Sequence, residues 1–260
     1  MPAPALAQVA AEAEAPTDRE REGGWSGFVA AGPAVASRFE GADQYRVLPF
    51  VIGTVRTRDI AIDVQGSRIR VDLVPGGTLA LGPLVNVRLG RDEDVGGRVA
   101  LLDTVDTAFE LGGFAGLRLG GDARGQGQVQ LDLSALADVS GTHDGVLVSA
   151  SAAYAALRTQ RFSLSLEAQA SWGDGAYTRT YFGITPIEAT RAGLDAYRPG
   201  ASLRDAGAGA TIGYQLDRRW GLIGRLGWTY LLGDAADSPI VRREGSRHQG
   251  VGGVALSYRF

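Results

Sequence analysis

The sequence predicts an all-β chain: a single antiparallel transmembrane β-barrel of about twelve strands, ten being the alternative count, with short turns at one rim and long loops at the other. Three observations predict it. Strand-length segments alternate apolar and polar residues from Trp25 onward, their connections alternate short and long, and the chain stops on an alternating segment that ends in an aromatic residue.

Composition narrows the class first. The 260 residues include 38 Gly, no Cys, one Met and four Trp, and every basic residue is Arg. Gly at about twice its usual share disfavours long helices and suits strongly curved strands. Without Cys there is neither a disulfide framework nor thiolate chemistry. The net charge of −3 leaves no basic face of the kind that neutralises phosphates, so nucleic acid is not an expected partner. No run of about 18 apolar residues marks a helical membrane span, a test to which barrel strands are invisible.

Residues 1–23 are rich in Ala, Pro and acids. They lack the basic start and long apolar run of an intact signal peptide, and read as a disordered leader or the remnant of a signal region. The folded barrel is expected over 24–260.

Strands are expected near 25–36, 45–55, 59–65, 68–74, 78–90, 107–119, 126–137, 145–157, 161–171, 203–216, 219–231 and 249–260. In the seventh, Val129, Leu131, Leu133, Ala135 and Ala137 alternate with Gln128, Gln130, Asp132 and Ser134. In the ninth, Phe162, Leu164 and Leu166 alternate with Ser163, Ser165 and Glu167. In the last, Val254, Leu256, Tyr258 and Phe260 share one face, opposite Gly253, Ala255, Ser257 and Arg259. Periodicity alone cannot tell a barrel with apolar residues inside from one with apolar residues outside. Loop lengths can. Connections near 56–58, 75–77, 120–125, 158–160 and 217–218 are short, whereas 37–44, 91–106, 138–144, 172–202 and 232–248 are mostly long, and only the turn at 65–67 breaks the series. That asymmetry is the one between short periplasmic turns and long extracellular loops. Trp220 at one end of its strand and Trp228 with Tyr230 at the other suit two interfacial girdles.

With apolar faces toward lipid, the lumen set comprises Asp63, Arg70, Asp72, Asn86, Arg88, Glu110, Asp132, Glu167 and Arg225. Both signs are mixed, which suits either a lumen closed by paired charges, among residues such as Arg70, Asp72, Arg88 and Glu167, or a narrow wet channel. The longest loop, 172–202, is either a candidate inward-folded constriction, with a short helix starting at Pro186, Tyr181 and Phe182 as constriction residues and Tyr177 and Arg179 beside them as residues to mutate, or a loop that packs over the barrel rim.

No catalytic, cofactor or metal site is expected. The two histidines, His143 and His248, fall in predicted outer loops and read as solvated surface rather than as part of a nucleophilic dyad. Asp92, Glu93 and Asp94 match no calcium-loop spacing. The stretch GGDARGQG at 120–127 is followed by neither a Lys nor a helix, and so reads as a turn. Asp237 and Ser238 before Pro239 mark an ordered loop.

Several stretches resemble one family. They are GPAVASRFEGADQYRVLPF at 32–50, LGPLVNVRLGRDED at 81–94, FELGGF at 109–114, TYFGITPIEATRAGLDAY at 180–197, LLGDAADSPIV at 231–241 and the terminal YRF. In this order they resemble the MltA-interacting protein / OmpV family of Gram-negative outer-membrane proteins. The resemblance implies an integral outer-membrane barrel in contact with outer-membrane lipid, delivered to the barrel-assembly machinery through its C-terminal strand. It further implies a non-enzymatic scaffold between a murein lytic transglycosylase and a peptidoglycan synthase, or alternatively a porin-like channel for small solutes or an adhesin. No catalytic residue set comes with it.

Overall fold

A residue pattern with period two demands that one face of each strand differ from the other, and closing the sheet turns those faces into an inside and an outside. The computed structural model, which describes residues 24–260, realises this with twelve strands: β1 (Ser26–Ser37), β2 (Tyr45–Arg56), β3 (Ala61–Gln65), β4 (Arg68–Asp72), β5 (Leu79–Arg88), β6 (Ala108–Leu119), β7 (Val129–Asp138), β8 (Val146–Arg158), β9 (Phe162–Gly173), β10 (Ser202–Gln215), β11 (Trp220–Leu231) and β12 (His248–Arg259). Each pairs antiparallel with its sequence neighbours, and β1 closes the ring on β12. The count is twelve, not ten. The leader expected over 1–23 lies outside the described residues.

The apolar faces point outward. Val47, Leu133, Leu222, Leu226, Trp228 and Val254 are exposed, while Asp72, Glu110, Gln130 and Asp205 are at most 1% exposed. A soluble barrel would show the reverse; this is the inside-out arrangement of a barrel set in lipid. At the short-turn rim Trp220 and Tyr258 meet edge to face, 5.0 Å between ring centres. At the long-loop rim Trp228, Tyr230 and His248 form a second aromatic group. His248 is thus the first residue of β12, held against two rings, rather than a loop residue.

The wall is not of uniform height. β3 and β4 form a short hairpin whose turn at Gly66, φ +56°, requires the left-handed conformation that favours glycine. The hairpin tops out where Gly66 N–H donates to the Val51 carbonyl and Val87 N–H to the Ser67 carbonyl. Above that point Tyr45–Phe50 of β2 pair with β1 only, and no pairing joins β2 to β5. Pro49 shares the parity of Val51, so its missing N–H falls on the unpaired side, where a proline costs no ladder bond.

The long loops carry the helices: α1 (Gly175–Phe182), α2 (Pro186–Ala192), α3 (Gly233–Asp237) and α4 (Pro239–Glu244). Asp174 caps α1 by accepting from Tyr177 N–H. Thr185 and Glu188 form a reciprocal capping box on α2, Pro186 opens that helix and Gly193 ends it at φ +65°. The 233–241 stretch, expected as an ordered loop, falls in two short helices, because Ala235, Ala236 and Val241 find a core with Leu231 against α1.

Candidate functional site

The outer mouth is built around Tyr177. Placed on the first turn of α1, it is fully buried. Its hydroxyl donates to Glu40 of the β1–β2 loop at 2.6 Å and accepts from Arg204 Nη1 of β10 at 2.5 Å. Arg88 of β5 lies over its ring, 5.1 Å from the centre. In the ring of strands β10 and β5 are nearly opposite, so a side chain touching both stands across the lumen. At that level buried side chains reach across the lumen.

Around Tyr177 the charges pair closely. Arg88 donates through Nε to Glu110 at 2.7 Å and through Nη1 to Glu40 at 2.6 Å. Asn86 donates to the second Glu110 oxygen at 2.6 Å. His143 Nδ1 accepts from Gly145 N–H, which leaves Nε2 to donate to Glu110 at 3.2 Å. Arg204 also pairs with Asp205. Burial alone would push the Glu40 carboxyl up, but Arg204 and Arg88, aided by the Tyr177 hydroxyl, hold it down at about 2. The expectation that His143 is solvated surface is overturned: it is 3% exposed, with Tyr177 5.2 Å away edge to face. The loop that carries it dips into the mouth, where Glu110 supplies a partner no reading of neighbouring residues reveals.

Every residue in the sequence-derived lumen set faces inward, but in separate groups. Arg88 and Glu110 belong to the outer-mouth network. Lower in the barrel, Arg70 pairs with Asp132 at 2.9 Å and lies 3.5 Å over the Phe114 ring. Asp72 pairs with Arg118, and Asp63 accepts from Thr54 at 2.5 Å. On the wall formed by β9 to β11, Arg225 meets Glu167 at 3.4 Å. Salt bridges therefore form, though not among Arg70, Asp72, Arg88 and Glu167 themselves. Tyr181 lies against His143 and Tyr177. Phe182 is buried in the helical core with Leu147, Leu231 and Val241 rather than lining a pore. The core residues Tyr177 and Phe182 lock α1 inside the mouth, and burial of two such aromatics is worth several kcal/mol.

Arg118, Glu40 and Arg204 belong to these networks but not to the sequence-derived set. Arg118 was legible, since it continues the inward parity of Glu110 and Phe114 along β6. Glu40 was not, because a loop residue has no parity. Arg204 sits at a register shift between Leu203 and Asp205, where alternation fails.

At the other rim a cavity of about 420 Å³ opens among the short turns, ringed by Arg124, Arg158, Arg161 and Arg259. Among the described residues no group of three or more His, Cys, Asp or Glu is placed to hold a metal ion.

Several solved barrels have a similar overall shape. An outer-membrane channel from Pseudomonas putida F1 is 12% identical with a TM-score of 0.44, over 91% of this chain and 95% of that one. The NanC porin is 7% identical with a TM-score of 0.41, over 90% of this chain and 100% of that one. A monoaromatic hydrocarbon channel, CymD, is 13% identical with a TM-score of 0.41, over 90% and 88%. Comparison with curated proteins finds no match. The sequence pattern of the MltA-interacting protein MipA family matches residues 29–260, nearly the whole described barrel, and by that match the chain belongs to the MipA family.

Proposed function

We propose that this chain is an integral protein of the Gram-negative outer membrane, and that it acts as a non-enzymatic scaffold for the machinery that synthesises and hydrolyses peptidoglycan. The observation that carries the reading is the filled outer mouth: Tyr177 bridges Glu40 and Arg204 where a diffusion pore would need an open passage. The proposed partners are a murein lytic transglycosylase, in keeping with the family description of an MltA-interacting protein, and a peptidoglycan synthase. The periplasmic surface for them consists of the short turns. In this reading β12, alternating and ending at Phe260, is the segment offered to the barrel-assembly machinery, and outer-membrane lipid covers the apolar outer face. A porin-like role is the second reading, favoured by the cavity at the short-turn rim.

Planar-bilayer recording of the refolded chain, with folding verified by heat-modifiable gel migration, separates the two. The scaffold reading expects a silent wild type and retention of a purified lytic transglycosylase of the MltA type on the immobilised barrel. Steady channel steps from the wild type, or failure to retain the transglycosylase, would sink it.

A further inference from the structure

The barrel wall has a window in it. β3 and β4 reach only as high as Val51 on β2 and Val87 on β5, where Gly66 N–H donates to the Val51 carbonyl and Val87 N–H to the Ser67 carbonyl. A Cβ placed on Gly66 would meet nothing within 4 Å, so the turn borders open space. Above it, among the described residues, no strand pairs with the facing edges of β2 over 45–50 and of β5 past Val87. The chain after β5 crosses over the top, where Arg38 Nη1 of the β1–β2 loop donates to the Asp94 carbonyl at 2.8 Å. The opening is therefore framed on all four sides.

Its outer rim faces lipid. Val47 is 70% exposed, Pro49 and Val51 of the same parity are exposed, and so are Val85 and Leu89 across the opening. Acyl chains are what such a surface meets. The inner side is apolar as well, unlike the wall beneath it. Leu48 and Phe50 share the inward parity of Ile52, and Phe50 packs with Ala30 and Ile52. The hairpin below turns Asp63, Gln65, Arg68 and Arg70 inward instead. Leu48 and Phe50 are half-buried, so neither is sealed off.

The upper corner is polar. Tyr45 accepts from Gly250 N–H at 3.3 Å, two positions from His248, which sets it level with the Trp228, Tyr230 and His248 group and hence with lipid headgroups. Arg46 follows, and its buried Nε finds no acceptor among the described residues. Val47 shares the unpaired side of Pro49, so its N–H also faces the opening without a ladder partner. Hydrocarbon cannot satisfy these donors, whereas phosphate and ester oxygens can.

We propose that the window seats one anionic lipid of the leaflet on the long-loop side, with its phosphate at Arg46 and one acyl chain against Leu48 and Phe50. The inference rests on the reading that lipid covers the apolar outer face, and it is indifferent to the scaffold role.

The chain has no Cys, so a single introduced cysteine carries a bimane label uniquely, and quenching by brominated acyl chains tests the seat. The refolded full chain, its folding verified by heat-modifiable gel migration, is labelled at Leu226→Cys on the outer face, at Leu48→Cys or Phe50→Cys in the window, and at Ser134→Cys, an inward residue of β7 paired on both sides. The vesicles are phosphatidylcholine with a small share of brominated phosphatidylglycerol or brominated phosphatidylcholine. Leu226→Cys should be quenched by both, Ser134→Cys by neither. Brominated phosphatidylglycerol should quench the window labels roughly threefold more than brominated phosphatidylcholine, the effect of one partly exposed ion pair, and Arg46→Gln should abolish that preference. Window labels as silent as Ser134→Cys would overturn the seat and leave the lipid-facing reading intact, whereas a silent Leu226→Cys would overturn both. Quenching at Ser134→Cys equal to that in the window would mean that lipid enters the lumen at large, which also overturns the seat. Equal quenching by the two lipids would overturn the role of Arg46 and the anionic preference.

Discussion

The long-loop rim and the short-turn rim are built from the ends of the same strands, yet they differ in how much charge their connections bury. At the long-loop rim Arg88, Arg204, Glu40 and Glu110 are withdrawn from water and matched to one another around Tyr177. At the short-turn rim Arg124 and Arg161 stay exposed on their turns. The difference follows from connection length. A loop such as 174–201 is long enough to form a helix, fold it back into the mouth and carry its own capping residues with it. A turn such as 159–161 can only satisfy its own backbone, as Thr159 does by accepting from Phe162 N–H. Where loops return, a whole network of charge is buried around one helix; where they cannot, Arg124 and Arg161 stay exposed on the turns, with the buried Asp72–Arg118 pair on the strand ends beneath.

The largest test of that contrast is Arg88→Leu. It strands Glu110 without its arginine and leaves Glu40 with Arg204 alone, and breaking a buried pair of this kind costs about 3–5 kcal/mol. Arg161→Leu at the other rim should cost under about 1 kcal/mol, as exposed charges do. Urea unfolding of both variants in lipid vesicles measures the gap, and equal losses would erase the distinction between the rims.

Next in size is a charge on the outer face. Leu226, 66% exposed near the middle of β11, replaced by Arg should lose about 2–4 kcal/mol in a bilayer. A loss near zero in the same assay would mean that this face does not lie in lipid.

Acid should act on the long-loop rim selectively. The Glu40 carboxyl, held at about 2 in the folded barrel, titrates near 4.5 when unfolded, so its contribution is complete above pH 4.5 and drains away as the pH falls toward 2. That contribution is at most on the order of 3 kcal/mol. Glu40→Gln should flatten the pH dependence of stability across that window, which denaturant midpoints at pH 5 and pH 2.5 will read. An unaltered slope would show that Glu40 is not the titrating group.

The smallest effect is expected from Asp174→Ala, which removes the acceptor for Tyr177 N–H at the start of α1. A lost N-cap is worth about 1 kcal/mol. Hydrogen exchange should quicken over 175–182 while the turn at 159–161 is unaffected; uniform quickening would mean that the helix does not open apart from the barrel.

What the sequence determined by itself was everything that repeats at the spacing of a strand. Alternation located all twelve strands, each with at least one boundary within two residues of its place in the barrel. Parity assigned Asp63, Arg70, Asp72, Arg88, Glu110, Asp132, Glu167 and Arg225 to the inside, and loop asymmetry turned the apolar face outward. The helix begun at Pro186 was also legible, because proline and a capping box are local signals. What only the tertiary structure decided was partnership. Arg70 reaches Asp132 sixty-two positions away, and Tyr177 reaches Glu40 across 137. His143 is buried by a glutamate on another element, the lower hairpin leaves part of β2 unpaired, and four arginines converge on a single cavity. Such contacts depend on how strands stagger around a closed ring and on where each long loop returns. The physical reason is that parity is a property of the local backbone, whereas the identity of a neighbour is a property of closure.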